Sequence, residues 1–293
     1  ELTNPRPDDE YRVLLLGDSG TWGWLLENDD TLAARLNAQG LRVDGRAVRV
    51  YNLGYPIMSL TKDLLLLDYA MRYDPDMIVW PVTLESFPPE QQLFPPLVQN
   101  NADRTRDLIA AYDLALHADD DRFVEYDFWE QTIVGQRRPL ADWLRLQVYG
   151  FSWAATGIDQ HIREYDPLTR DFGTDTSWRG YDSPAPLDDL AFDVLAAGID
   201  RAGEVPVLVV NEPIFISAGE NSDLHYNIWY PRWAYDAYRE RLQARAERAG
   251  WHLVDLWDAL PADVFTDSPV HYTPQGAQTF AERLAPAILA LAD

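Results

Sequence analysis

The chain has 293 residues, 47% of them hydrophobic, a formal net charge of −24 and a pI near 4.4. That length and apolar share suit one large α/β domain over residues 1–293. The charge argues against nucleic acid and acidic membranes as partners, because such a field repels phosphate, and the absence of cysteine excludes disulfides, thiolate metal sites and cysteine catalysis.

The first segment, "ELTNPRPDDE", is polar and contains proline, like a trimmed linker. Together with a non-Met start it leads to the expectation of a secreted or membrane-anchored extracytoplasmic protein. No apolar run is long enough to be a transmembrane segment. Residues 12–16, "RVLLL", read as a short buried strand. Asp30 can cap a helix whose Leu32 and Leu36 lie four apart and which ends near Gly40. Strands follow at 48–53 and 77–82, with a helix at 60–72 between them carrying Leu64, Leu65, Leu67 and Met71. Lys62, the only lysine, stands in the polar step "SLTKD" and reads as a surface residue.

Residues 86–186 then break the alternation, separating two strands by far more than an ordinary connection. They hold "SFPPEQQLFPP", a helical pattern near 101–117, the acidic "HADDDRF", and aromatics around Trp129, Trp143, Tyr149 and Trp153. The expectation is an inserted, mostly helical cap over the active edge. The alternation resumes with a helix at 187–202, a strand at 205–210, a helix at 232–249 and a weaker strand at 252–256. In the last helix Thr273 caps, Pro274 opens the first turn, and Ala277, Phe280, Leu284, Ile288 and Leu291 share one face. Strands and helices in this order predict an α/β fold. It is a three-layer α/β/α sandwich around a mainly parallel, flavodoxin-like sheet. Ligands bind such sheets beyond the carboxyl ends of the strands. Ser19, Gly54, Glu85, Asn211 and Asp255 all follow strands.

A serine nucleophile needs a general base, and the base needs an orienting acid. The candidate bases are His117, His161, His225, His252 and His271. His271 stands in "FTDSPVHYTPQG", four residues after Asp267, and Pro269 between them makes a continuous helix there unfavourable. A carboxylate on the same short loop could hold one ring nitrogen and leave the other facing Ser19. His117 lies in a solvated acidic run without a calcium-loop pattern. His225 reads as a surface residue and His252 as structural.

Three stretches together resemble the SGNH, or GDSL-type, hydrolase superfamily of esterases, lipases and carbohydrate acetylesterases. They are "GDSGTWG", with Gly17, Asp18, Ser19, Thr21 and Gly23; "YNLGYPIMS", with Asn52 and Gly54; and the Asp–His loop before the last helix. The resemblance covers roughly residues 10–85 and 205–290. It implies a serine esterase, working through an acyl-enzyme, with no cofactor and no metal. Ser19 would be the nucleophile, His271 the base and Asp267 the orienting acid, with the backbone N–H groups of Ser19 and Gly54 holding the oxyanion. Its substrate would be a small-molecule or glycan ester. Trp22 and Trp24 could stack on a sugar ring or line an acyl pocket.

Two departures stand out. The family spaces its terminal pair as Asp-x-x-His, whereas here Ser268 lies three before His271 and Asp267 one further back. Either the loop bulges, or the serine and histidine act alone. The family also offers an asparagine after its third strand, where this chain has "VWPVTLESF", so that Thr83 or Glu85 falls nearest. Asn211, one strand over, is the candidate substitute donor. Acyl transfer to a sugar hydroxyl by the same residues, and a non-catalytic binding domain, are the alternative functions. The Gly-x-Ser-x-Gly elbow of α/β-hydrolases is not met, since Thr21 occupies its last glycine position.

Overall fold

The computed structural model describes residues 2–158 and 164–292. Six strands form one sheet: β1 (Glu10–Leu15), β2 (Arg42–Val43), β3 (Arg46–Asn52), β4 (Met77–Val82), β5 (Val207–Asn211) and β6 (His252–Asp255), in the order β2-β3-β1-β4-β5-β6. All neighbours pair in parallel except β2 with β3. Without the two-residue β2, this is the flavodoxin-like order expected from the sequence. β2 has too few residues to leave a periodic signal.

Every residue of β1, β4 and β5 is buried. Their continuous apolar runs are what strands need when helices cover both faces. On one face lie α3 (Leu60–Ala70), α8 (Phe192–Ala202) and α9 (Arg232–Ala249), packed over Leu14, Ile78, Trp80 and Val209. On the other lie α2 (Leu32–Ala38) and α10 (Pro274–Ala292), packed over Val13, Leu15, Val79 and Val210. The cap of α2 is Thr31, whose hydroxyl accepts from the Ala34 N–H at 3.3 Å. Asp30, the expected cap, pairs instead with Arg35. Thr273 caps α10 as expected, accepting from the Gly276 N–H at 3.2 Å.

The long insertion has three parts. Residues 86–123 carry α4 (Pro89–Gln92), α5 (Pro96–Gln99) and α6 (Ala102–Tyr112), and Leu93, Val98, Leu108 and Ile109 join the core beside α3. This first part therefore flanks the sheet, where a cap over the strand ends was expected. Next comes α7 (Arg137–Thr156), none of whose residues is buried. The returning chain is held against the loop after β5, with the Ser217 hydroxyl donating to the Arg170 carbonyl at 2.5 Å and the Phe172 N–H to the Glu220 carbonyl at 3.1 Å.

Candidate active site

β1 lies between β3 and β4, where the connections leave in opposite directions, so the crevice at its carboxyl end is the natural ligand position. Gly17 ends the strand at φ +132°, where a Cβ would collide with the Thr21 hydroxyl 2.3 Å away. The chain then turns into the short helix α1 (Ser19–Trp22), and the Asp18 carboxylate caps it by accepting from the Gly20 N–H at 2.8 Å. The turn aims Ser19, half-buried, at the crevice.

The other half comes from the loop before α10. Thr266 N–H donates to the His271 carbonyl at 2.9 Å, His271 N–H to the Ser268 carbonyl at 3.1 Å, and Phe215 N–H to the Pro269 carbonyl at 2.8 Å. This tight turn absorbs the extra residue between acid and histidine. His271 Nε2 lies 2.7 Å from Ser19 Oγ, and Nδ1 lies 2.8 Å from Asp267 Oδ1. An ionised carboxylate only accepts, so Nδ1 carries the proton and donates to Asp267, leaving Nε2 to accept from the serine hydroxyl. Burial raises the Asp267 carboxyl, but the hydrogen bond and charge of His271, with a donation from Trp24, outweigh it and hold the group below its ordinary range. Ser268, at the position the family's spacing would favour, is buried and makes no side-chain hydrogen bond among the described residues.

Trp24 was not singled out for this contact. Its indole Nε1 donates to Asp267 Oδ2 at 3.1 Å, and its ring centroid lies 6.0 Å from that of His271. Trp22 follows at 6.2 Å from Trp24 and is 48% exposed. The only sequence signal for Trp24 is the doubled tryptophan after the serine turn. A cleft of about 410 Å³ is lined by Trp24, Leu25 and Asp267 together with Glu164, Tyr165 and Asp166.

Lys62 corrects a surface expectation. It is fully buried, and its ammonium donates to the Gly17 carbonyl at 2.7 Å and the Tyr55 carbonyl at 2.8 Å while pairing with Asp63 at 2.8 Å. One cation thus ties the loop leading to Ser19 to the loop that follows Gly54. Gly54 itself sits so close to α1 that a Cβ would lie 2.5 Å from the Trp22 nitrogen. Its N–H, expected to face the crevice, donates to Asn52 Oδ1 at 2.9 Å, and Asn52 Nδ2 donates to the Thr21 carbonyl at 2.9 Å.

The other expected donors face elsewhere. The Asn211 amide donates to Asp255 at 2.8 Å, and its oxygen accepts from the hydroxyls of Tyr235 and Tyr238 at 3.3 and 3.2 Å. It is buried and joins β5, β6 and α9, so its contacts run away from the crevice. The Thr83 hydroxyl, also buried, meets the Tyr230 hydroxyl at 3.2 Å. Glu85 pairs with Arg179, which also reaches Glu90 at 2.5 Å, so one guanidinium is shared between two carboxylates. His225 is half-buried with its ring 5.6 Å from Phe172, His252 opens β6, His117 lies in a loop, and His161 lies outside the described residues.

No family model matches this chain, and no curated protein matches it. Solved structures resemble it over nearly its whole length at low identity. An aryl esterase from M. smegmatis is 15% identical, covers 96% of this chain and 99% of its own, and has a TM-score of 0.41. A lipase/acylhydrolase from Enterococcus faecalis is 15% identical, with 95% and 94% covered and a TM-score of 0.44. A carbohydrate acetylesterase family member from Sinorhizobium meliloti is 12% identical, with 96% and 99% covered and a TM-score of 0.40.

Proposed function

We propose that this chain is a serine ester hydrolase of SGNH type. One observation carries the reading: the continuous line from Ser19 Oγ through the His271 ring to the Asp267 carboxylate, at 2.7 and 2.8 Å. These are hydrogen-bond distances suited to direct proton transfer. In the proposed reaction Ser19 Oγ attacks the ester carbonyl carbon while its proton passes to His271 Nε2. The imidazolium keeps its Nδ1–H on Asp267, which stabilises the new charge without taking the proton. The tetrahedral intermediate collapses, the C–O bond to the alcohol breaks, and the alcohol leaves with the proton from Nε2. Water then repeats the sequence on the acyl-enzyme and frees the acid.

The oxyanion is assigned to the Ser19 N–H, which has no acceptor within its helix because it lies in the first turn. Asn211 and Thr83 are withdrawn from this role by the partners they already hold. Gly54 keeps a positioning role, because only a glycine lets its loop lie against α1. The exposed Trp22 ring beside Trp24 supports a glycan ester as substrate, since an indole face can stack on a sugar ring.

The reading is tested with a fluorophosphonate probe and p-nitrophenyl acetate. The wild type labels once and turns over, while Ser19→Ala does neither, with a fall of at least ~10³-fold in kcat. Equal rates for both proteins, with no labelling, would sink the reading and leave a binding domain. Product analysis with a sugar acceptor separates hydrolysis from acyl transfer.

A further inference from the structure

A second cleft, of about 590 Å³, opens at the far end of α3. Lys62, in the first turn of α3, reaches the Gly17 carbonyl before Ser19, and Arg72, just past the end of the helix, stands roughly 15 Å further along its axis. The cleft is therefore separate from the proposed reaction. Its apolar lining is Leu65, Leu66, Met71 and Leu97, all packed against the core. Arg72, Arg104 and Arg201 line the same cleft, from the end of α3, from α6 and from α8. A volume of this size, with hydrocarbon walls and a few convergent polar groups, is the usual form of a small-molecule site.

Three guanidinium groups in one cleft run against the sign of a chain of net charge −24. Two of them are answered by the protein. Asp68, which is buried, accepts from Arg201 Nε at 2.7 Å on one oxygen and from Arg104 Nε at 2.7 Å on the other. Burial raises the Asp68 carboxyl, but the hydrogen bonds and charges of Arg201 and Arg104 outweigh it and hold the group below its ordinary range. Arg104 also lies 3.6 Å from the exposed Asp107. Arg72 is different. It makes no ion pair among the described residues, and its Nε donates to the Tyr69 carbonyl at 2.9 Å. Its guanidinium lies 3.8 Å from the centre of the Tyr69 ring, which steadies the planar fork, and both Nη groups are without a protein partner among the described residues. Such a fork pairs with the two oxygens of a carboxylate. Against Asp68 and Asp107, the three arginines leave one positive charge unanswered, so the complement is a monoanion.

The other walls set the rest of the ligand. Leucine and methionine side chains make no hydrogen bonds, and an anion without a hydrocarbon body would leave them in water. We propose that this cleft is a binding site for a monocarboxylate with a hydrocarbon body, its head on the Arg72 fork and its chain against Leu66, Met71 and Leu97. The inference does not rest on the ester-hydrolase reading.

The test is isothermal titration calorimetry of the whole protein with octanoate, compared with acetate, inorganic phosphate and 1-octanol. Octanoate saturates one site, and the other three, each lacking the chain or the charge, bind about tenfold more weakly or less. Arg72→Gln removes the fork, and Asn101→Trp fills the cleft from an exposed lining position; each weakens octanoate by about tenfold. Both replaced side chains are exposed, so circular dichroism and the unfolding midpoint stay those of the wild type. On the wild type itself, octanoate slows phenylglyoxal modification of Arg72, mapped by mass spectrometry, and not that of the exposed Arg138. No saturation by octanoate overturns the proposal. Equal binding of acetate or phosphate overturns it in favour of a plain anion patch, and equal binding of octanol in favour of an uncharged groove. Unchanged octanoate affinity in either variant, or an unprotected Arg72, places the acid elsewhere and overturns it too. None of these readouts depends on ester turnover.

Discussion

At Asp267 one carboxylate serves three donors: Oδ1 receives the His271 Nδ1–H at 2.8 Å and Oδ2 the Trp24 indole at 3.1 Å, while the Thr266 hydroxyl also donates to Oδ1 at 3.2 Å. The second contact fixes the rotation of a side chain that is itself 34% exposed. Trp24→Phe keeps a ring beside His271 and deletes the donor. Since a hydrogen bond to a charged group is worth about 1.5–3 kcal/mol and water replaces part of it here, kcat falls about five- to tenfold with KM unchanged. Steady-state kinetics of the two proteins check this, and an equal kcat would make Trp24 a packing residue only. The proposed relay of Ser19, His271 and Asp267 could be put forward from the sequence because a glycine turn and a proline-broken loop leave chemical signatures. Trp24 could not, because an indole that donates to a carboxylate is written the same way as one that fills a core.

At the scale of elements, α3 acts as a peg whose Lys62 holds two loops together. The polar step "SLTKD" reads as solvent-facing only if the helix start is assumed to be exposed. Ser59 caps it, accepting from the Lys62 N–H at 3.2 Å, and α4 and α5 cover it, so the lysine points inward at the strand ends. No periodicity rule shows that carbonyls of distant loops converge on one amine. Lys62→Met conserves the length of the side chain but strands the Gly17 and Tyr55 carbonyls and leaves Asp63 without its cation. Breaking a buried pair in this way costs about 3–5 kcal/mol. Urea unfolding should show that loss, together with slower fluorophosphonate labelling of Ser19. The helical boundaries were far more legible than these tethers: α9 and α10 follow from their apolar spacing and caps, whereas the two-residue β2 and the placement of α4–α6 beside α3 depend on tertiary packing alone.

Over the whole molecule, acid dominates inside as well as outside. Asp18, Asp63 and Glu212 are all buried, with one ammonium, that of Lys62, paired with Asp63 and acting on Glu212. Burial raises Asp63 from 3.8 to about 6, against the opposing pull of Lys62 and Trp80. Burial, then Asp18 and Asp63, raise Glu212 well above its ordinary value. A carboxyl raised in the folded state binds more protons folded than unfolded. Its contribution is therefore complete below pH 3.8 and is lost as pH rises through about 6. Asp63→Asn removes that dependence. The stability gap between wild type and variant should shrink across this window by up to about 1.4 kcal/mol per pH unit. Urea midpoints measured at intervals across it decide the matter, and a constant gap would mean that Asp63 stays ionised.

The serine and histidine of the proposed relay stand 252 positions apart, just after the first strand and just before the last helix. Closing so long a loop carries an entropic penalty that only the completed sheet and both helical layers offset. A chain still lacking residues 267–292 would hold Ser19 without its proposed base, so fluorophosphonate labelling of Ser19 should begin only once that loop and α10 have docked.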